Sequence, residues 1–467
     1  MTAYHPENPL IVQGDHTVLV EVDSPLYEKA RDALMSFAEL IKSPEHIHTY
    51  RITPLSIWNA CAAGVRTEEI NEALNTYSKY PVPEHVAVEI RDYASRYGRL
   101  KITREDQGLI LRADNAPLAE EIFRNRNIGL FLQDRLTPLE FLIQPEARGR
   151  IKQALIKIGF PAEDLAGYTE GEVLPINLRN VTKLGEFFKL RAYQEAAAAA
   201  FYAAGSARGG SGVIVLPCGA GKTIVGMACM DLIKASTLIL VTNVTAVRQW
   251  ISELLDKTNL QSDQVGEYSG SCKEIRPVTV STYQIMTYRK SREDDFLHMS
   301  LFDERNWGLI IYDEVHLLPA PVFQITAGLQ ARRRLGMTAT LVREDGREDD
   351  VFALIGPKKT DVPWKELEMQ GWIAKARCTE IRIPMPENLR MPYAVADRRR
   401  KFRIASENPN KVSIILELLK KHPEEQILII GMYLDQVKEI AGGLNVPVLT
   451  GSTAQKKRDQ LFEDFKS

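Results

Sequence analysis

The chain has 467 residues, 26% of them charged, with 59 Lys and Arg against 61 Asp and Glu for a formal net charge of −2. That length suits about three domains, and the balance of charge gives no global sign of a nucleic-acid partner, so any such contact has to come from local patches. Five scattered cysteines (Cys61, Cys218, Cys229, Cys272, Cys378) without a Cys-x-x-Cys pair argue against a disulfide framework and a structural zinc site, and the short, interrupted apolar runs argue against a membrane span. The polar opening residues lack the pattern of a signal peptide, so the expectation is a soluble, cytoplasmic protein.

Taken in order, residues 1–98 read as a small mixed unit. Strand runs at 10–12 and 17–22 flank Gly14-Asp15, and helical patterns follow at 24–41, 53–63, 67–77 and 83–97. Ser24 before Pro25 and Thr67 before Glu68-Glu69 are helix-start signals. Such a unit fits a winged-helix-like binding module or a plain helical packing domain. His46 and His48 beside Glu45 read as solvated loop residues rather than metal ligands. Residues 99–170 form a second small α/β unit: strands at 100–103 and 109–113 across the hairpin signal Glu105-Asp106-Gln107-Gly108, then helices at 116–124, 138–142 and 146–158. Nothing in it looks catalytic. Leu190-Arg191-Ala192-Tyr193-Gln194-Glu195 leads into an alanine-rich helix, and the Gly/Ser-rich stretch 205–212 reads as a linker.

The next stretch carries chemistry. Val213 to Leu216 is an apolar run that reads as a buried parallel strand, and 223–233 reads as the helix after it. Between them Gly219-Ala220-Gly221 lets the backbone bend so that successive N–H groups face an anion, with the positive end of the helix dipole behind them. Lys222 would reach the β and γ phosphates of a nucleotide, and the Thr223 hydroxyl would ligate Mg²⁺. The pattern Gly-x-x-x-x-Gly-Lys-Ser/Thr asks for glycine at 216, where Leu216 stands; an ordinary Gly-rich strand-to-helix turn is the plainer alternative. A second apolar run, Trp307 to Tyr312, ends in Asp313-Glu314-Val315-His316. A carboxylate at a strand tip beside a phosphate loop is where such enzymes hold their metal, so Asp313 would sit on Mg²⁺ and Glu314 would orient or deprotonate the attacking water.

Further runs at 238–241, 278–283 and 334–340 alternate with helical stretches. The expected fold is α/β: a RecA-like, doubly wound parallel sheet of the P-loop NTPase kind, with Thr242, Thr282, Asp313 and Thr338 on its ligand-binding carboxyl edge. Arg332-Arg333-Arg334 reads as helix-end charge and packing. Runs at 426–431 and 446–451, with helices at 410–421 and 454–465, suggest part of a second RecA-like lobe. Arg398-Arg399-Arg400-Lys401-Phe402-Arg403 fits either a phosphate track or an exposed helix face.

These elements in this order resemble superfamily 2 helicases, and the finer matches are to the XPB family of DNA helicases. Leu216-Pro217-Cys218-Gly219-Ala220-Gly221-Lys222-Thr223 is similar to that family's phosphate loop, including Leu216; Asp313-Glu314-Val315-His316 matches its Asp-Glu-Val-His box; and Thr338-Ala339-Thr340 is followed by Arg343-Glu344-Asp345. The resemblance implies an ATP- and Mg²⁺-dependent, nucleoid-associated DNA helicase or translocase running 3′ to 5′, in repair or transcription-coupled opening of DNA. In it Gln194, with Arg191, would read adenine. His316, Thr338 and Thr340 would pass on the nucleotide state; Thr242, Asn243 and Thr282 would touch the strand backbone; and the Arg343-Glu344-Asp345 element would serve unwinding. It implies a damage-recognition-like domain at 99–170, a first lobe at 171–356, and a linker or thumb with part of a second lobe at 357–467. DNA contact would be mostly to phosphate and independent of sequence, whether duplex, forked or single-stranded, and a nuclease or a repair or transcription factor would be the partner. One departure stands out: the family's Gln-x-x-Gly-Arg-x-x-Arg segment is absent, Arg148-Gly149-Arg150 lying in another domain, which implies a chain truncated within the second lobe. Loss of an arginine finger costs turnover on the order of 10³ or more, so a nucleotide-gated DNA-binding subunit without turnover is the competing reading. A restriction-type translocase shares the lobes but calls for a nuclease constellation that this sequence does not contain.

Overall fold

A computed structural model describes residues 4–42, 46–206, 209–270, 272–291, 297–302, 304–322, 326, 329, 332–340, 348–375 and 379–466. The chain divides into two units, residues 1–374 and 375–467. The first holds three sheets. An antiparallel one is built from β1 (Leu10–Val12), β2 (Thr17–Glu21), β3 (Glu39–Lys42) and β4 (Ile47–Arg51) in the order β1-β2-β4-β3. Helices α1 (Tyr27–Met35), α2 (Pro54–Ala62), α3 (Thr67–Tyr77) and α4 (Glu84–Arg96) complete it. α2 starts where Thr53 and Ser56 cap each other's backbone N–H, with Pro54 in the first turn. The helix expected over 24–41 ends at Met35, because Leu40 pairs with Tyr50 of β4 and the ladder claims the rest. His48 is not a loop residue: it sits in β4 with Nδ1 at 2.9 Å from the Tyr27 hydroxyl.

The second sheet runs β7-β8-β6-β5-β9. Its elements are β5 (Leu100–Glu105), β6 (Gly108–Ala113), α5 (Ala116–Arg124), α6 (Arg126–Gly129), β7 (Leu132–Thr137), β8 (Glu140–Ile143), α7 (Arg148–Lys157) and β9 (Ala162–Asp164). The helix expected at 138–142 is strand β8. Phe141 and Ile143 are buried while Glu140 and Leu142 are less so, a period of two rather than 3.6. Asp164, at the end of β9, takes hydrogen bonds from Arg148 Nη2 at 2.6 Å and Lys152 Nζ at 2.9 Å.

The third sheet organises the unit. After α8 (Ala192–Tyr202) come β10 (Ser211–Val215), α9 (Lys222–Ile233), β11 (Thr237–Val241), α10 (Val244–Lys257), β12 (Val265–Tyr268), β13 (Val278–Thr282), α11 (Tyr283–Met286), β14 (Leu309–Asp313), β15 (Arg333–Thr338) and β16 (Lys358–Asp361). The order is β12-β13-β11-β14-β15-β10-β16, every pair parallel. β10, β11 and β14 carry apolar runs, Val213–Val215, Leu238–Val241 and Leu309–Tyr312, because both faces of the sheet are covered, as parallel sheets require. All the strand tips therefore lie on one edge: Val215 pairs with Thr338, Val241 with Thr282 and Asp313 with Met337. The Arg332-Arg333-Arg334 run enters β15 instead of ending a helix. Arg334 is fully buried, its Nε donating to the Leu354 carbonyl at 2.7 Å, so packing decides its place. α1 and α2 tie to the outer strand of the third sheet, where Lys358 N–H donates to Asn59 Oδ1 at 2.7 Å and Lys358 Nζ to the Met35 carbonyl at 3.3 Å.

Among the described residues, the second unit holds helices Glu387–Val395, Arg398–Ser406, Asn410–Lys421, Leu434–Leu444 and Gln455–Lys466. The runs at 426–431 and 446–451, expected as strands, pair with nothing among the described residues, and Leu428 and Ile430 are 65% and 86% exposed. An apolar run becomes a strand only where a neighbour takes its N–H and C=O groups. Among the described residues, no helix is long and apolar enough to cross a membrane, and no group of three His, Cys, Asp or Glu side chains is placed to hold a metal ion.

Candidate functional site

The loop between β10 and α9 bends at Gly219 (φ 80°) and Gly221 (φ 79°), in the left-handed region that favours glycine. Glycine at 221 has a second reason: a Cβ there would come within 2.7 Å of Gln194 Nε2 and force that amide to shift. α9 opens at Lys222 with Gly221 as its N-cap and no side chain capping it, so its first amides are left facing the concave loop as an anion site. The Thr223 side chain, half-buried in the first turn, makes no hydrogen bond among the described residues.

The loop is held from behind. The Tyr193 hydroxyl donates to the Ala220 carbonyl at 2.7 Å and Gln194 Nε2 donates to the same carbonyl at 3.1 Å. Gln194 Oε1 in turn accepts the Arg191 backbone N–H at 3.0 Å. Both ends of this buried amide thus grip protein backbone, and the amide keeps a second N–H and a second lone pair for the adenine contact that the family resemblance implies.

Across the sheet edge, β14 delivers Asp313. Its Oδ2 accepts the Trp250 indole N–H at 2.9 Å, its Oδ1 accepts the Glu314 amide at 3.0 Å, and its carbonyl accepts the Tyr283 hydroxyl at 2.9 Å. Burial pushes the Asp313 carboxyl above the usual aspartate range; the indole N–H and Lys222 pull the other way without overcoming it, and the Glu314 charge adds to the rise. The chain turns at Glu314, whose φ of 50° is left-handed, a conformation costing a non-glycine residue about 1–3 kcal/mol. The turn separates the two adjacent acids, and Glu314 Oε1 lies 3.2 Å from Lys222 Nζ.

His316 Nδ1 is 2.7 Å from Thr338 Oγ1 and 3.5 Å from Glu314 Oε2. Thr338 Oγ1 also donates to the Thr340 carbonyl and accepts the Thr340 amide. A hydroxyl has one proton to give, so when Thr338 spends it on the Thr340 carbonyl, His316 Nδ1 is the donor to Thr338. A chain of contacts therefore runs from Lys222 through Glu314 and His316 to the tip of β15.

Thr242, Asn243 and Thr282, also singled out in the sequence, lie along the same edge but not in that chain. Asn243 caps α10, its Oδ1 accepting the Ala246 amide at 2.9 Å while Nδ2 donates to Thr242 Oγ1 at 3.2 Å. Thr282 is 3% exposed and caps α11 through the Ile285 amide at 3.3 Å. Sequence reasoning passed over Trp250, Tyr283 and Tyr193. Of these only Tyr193 carried a local signal, its place beside Gln194.

Three family models match parts of the chain: "Helicase conserved C-terminal domain" over residues 10–137, "Type III restriction enzyme, res subunit" over 187–343, and "ERCC3/RAD25/XPB C-terminal helicase" over 367–467. The DNA 3′-5′ helicase XPB of Mycobacterium tuberculosis is 53% identical over 98% of this chain and 82% of its own length. The DNA 3′-5′ helicase XPB of Kineococcus radiotolerans is 50% identical over 98% and 81%. This chain belongs to the XPB family. A eukaryotic XPB family member, the general transcription and DNA repair factor IIH helicase/translocase subunit of Enterocytozoon bieneusi, is 30% identical over 98% of this chain and 77% of its own. The Arg343-Glu344-Asp345 element, which carried the XPB resemblance most specifically, lies outside the described residues.

Proposed function

We propose that the chain is an ATP-driven DNA motor, a 3′-to-5′ helicase or translocase acting where duplex DNA is opened for repair or transcription. The observation that carries this reading is the pairing of a left-handed glycine loop with a largely buried carboxyl that no side-chain cation among the described residues meets at contact distance. The residues fit a nucleotide and its metal. The α9 amides and Lys222 would hold the phosphates, and the Thr223 hydroxyl and the Asp313 carboxylate would hold Mg²⁺. Mg²⁺, when bound, supplies positive charge to the phosphate oxygens. Lys222, now against Glu314, would turn to the incoming phosphates and release the Glu314 carboxylate. Glu314 would then orient water for attack and take its proton. The His316–Thr338–Thr340 contacts would carry the change at Glu314 to the strand tips, where Thr242 and Asn243 lie beside the path proposed for DNA.

By family resemblance, residues 99–170 would serve damage recognition, residues 357–467 would begin the second lobe, and a nuclease or repair factor would be the partner. Phosphate contact by Arg398, Arg399 and Arg400, all exposed on one helix, would make DNA affinity fall with salt. The test is Mg·ATP binding and DNA-stimulated phosphate release by the parent and by Lys222→Ala. The variant should lose turnover by about 10²–10³-fold. A Lys222→Ala protein that binds and hydrolyses Mg·ATP as the parent does would overturn the reading.

A further inference from the structure

The first sheet and the outer strands of the third meet around a cavity of about 390 Å³, within the size range of small-ligand sites. Phe37, Ala38 and Tyr50 wall it on one side, and Val215, Pro217 and Val362 on the other. Two polar side chains, one from β4 and one from α2, interrupt these apolar walls, and both are almost fully withdrawn from water. Tyr50 is 2% exposed, and its hydroxyl makes no hydrogen bond among the described residues. Asn59 is 5% exposed; its Oδ1 accepts the Lys358 N–H at 2.7 Å, and its Nδ2 has no partner among the described residues. Beside them stands Lys358 Nζ, already held by Asp361 at 2.9 Å and by the Met35 carbonyl at 3.3 Å. Burial pushes the Tyr50 hydroxyl well above the usual tyrosine range, so it keeps its proton at neutral pH. Buried donors are normally satisfied, and here two that are not share one cavity. Neither takes part in the nucleotide chemistry proposed above.

We propose that this cavity is a binding site for a small, neutral, ring-containing molecule that presents a carbonyl oxygen to Tyr50 and Asn59. The two unspent groups are an O–H and an N–H, which call for an acceptor on the ligand. The Lys358 charge is already met by Asp361, so an anion gains little there. The other walls are apolar, so the rest of the ligand should be hydrocarbon. Val215 and Pro217 lead into the phosphate loop, and Ala339 and Thr340, which also line the cavity, follow β15. A ligand seated there would touch the stems of both strands. The proposal stands apart from the nucleotide reading, because the cavity takes such a molecule or does not, whatever the loop binds.

The experiment titrates the full chain with 1-tetralone, a bicyclic aromatic ketone, and with tetralin, the same ring skeleton without the oxygen, and follows binding by calorimetry. Each hydrogen bond gained is worth about fivefold in affinity, so the parent should prefer 1-tetralone by about 5- to 25-fold. Tyr50→Phe should cut that preference about fivefold and leave tetralin binding unchanged. Ala38→Leu, which adds side-chain volume to the cavity wall, should weaken both ligands. Tyr50→Phe keeps the ring and so decides the matter even if Ala38→Leu fails to fold in a thermal melt. Absence of saturable 1-tetralone binding to the parent overturns the proposal. So does equal affinity for the two ligands, or a preference that Tyr50→Phe leaves intact, which would seat the ketone elsewhere.

Discussion

Asp164 and Asp313 each end a strand, β9 and β14, and each is largely withdrawn from water, yet their carboxyls stand on opposite sides of the ordinary aspartate range. At Asp164 burial pushes the carboxyl up, but Lys152 and Arg148 outweigh it and hold it far below the usual value. At Asp313 burial prevails, because the nearby cation Lys222 is against Glu314 and, among the described residues, an indole and an amide are what reach the carboxylate. The difference teaches what each corner is for. A buried acid with its cations built in is part of the architecture, and one left with dipoles alone is prepared for a cation that comes and goes.

The largest effect expected from this contrast is on stability, measured by chemical denaturation without nucleotide or Mg²⁺. Asp164→Asn leaves Arg148, 1% exposed, and Lys152 as uncompensated buried charges, and should cost about 3–5 kcal/mol. Asp313→Asn removes a carboxylate whose burial is unfavourable but replaces one acceptor oxygen with an NH₂ that cannot accept from Trp250 or Glu314, a loss of about 1–3 kcal/mol, so its transition should move far less than that of Asp164→Asn while Mg²⁺-dependent nucleotide binding weakens. Equal shifts would break the comparison.

A smaller effect, the pH dependence, sharpens it. The Asp164 carboxyl is more acidic folded than unfolded, so its contribution is fully present above the unfolded value of about 3.9 and is lost as pH falls toward the folded one. The stability gap between parent and Asp164→Asn should therefore close below about pH 4. The Asp313 carboxyl is less acidic folded than unfolded. Its cost is absent below the unfolded value and grows as pH rises through the raised one, so the stability of Asp313→Asn relative to the parent should rise toward neutral pH. Denaturation midpoints of the three proteins across this acid range check both signs, and parallel curves would remove the distinction.

The same contrast explains how much could be read in advance. The parallel sheet was legible because β10, β11 and β14 carry self-contained apolar runs, and Thr67–Tyr77 and Ala116–Arg124 because their caps and periodicity are local. β3 and β8 were not, since each is a strand only by virtue of the neighbour it pairs with. The runs at 426–431 and 446–451 fail for the converse reason, having strand composition without a pairing neighbour. At the site, Lys222, Asp313 and Glu314 announce themselves because their residue types are demanded by phosphate and metal. Trp250 reaches Asp313 across 63 residues of sequence, and Tyr283 across 30; no local pattern marks a side chain whose role is to hold another. Asp164 was passed over for the same reason, its two cations arriving from a neighbouring helix.

The smallest expected effect separates holding charge at the Asp313 corner from transmitting it. Thr338 is fully buried and its hydroxyl joins His316 to Thr340. Thr338→Val keeps the shape and removes that junction, at about 1 kcal/mol for each hydrogen bond lost. If the hydroxyl only relays the state of Glu314, Mg·ATP affinity should stay near the parent value while DNA stimulation of hydrolysis falls about fivefold, the rate equivalent of one such bond. The measurement is the ratio of phosphate release with and without DNA, beside a nucleotide titration. If affinity falls as far as stimulation, Thr338 belongs with Asp313 among the groups that hold the nucleotide, and the relay has to start farther along β15.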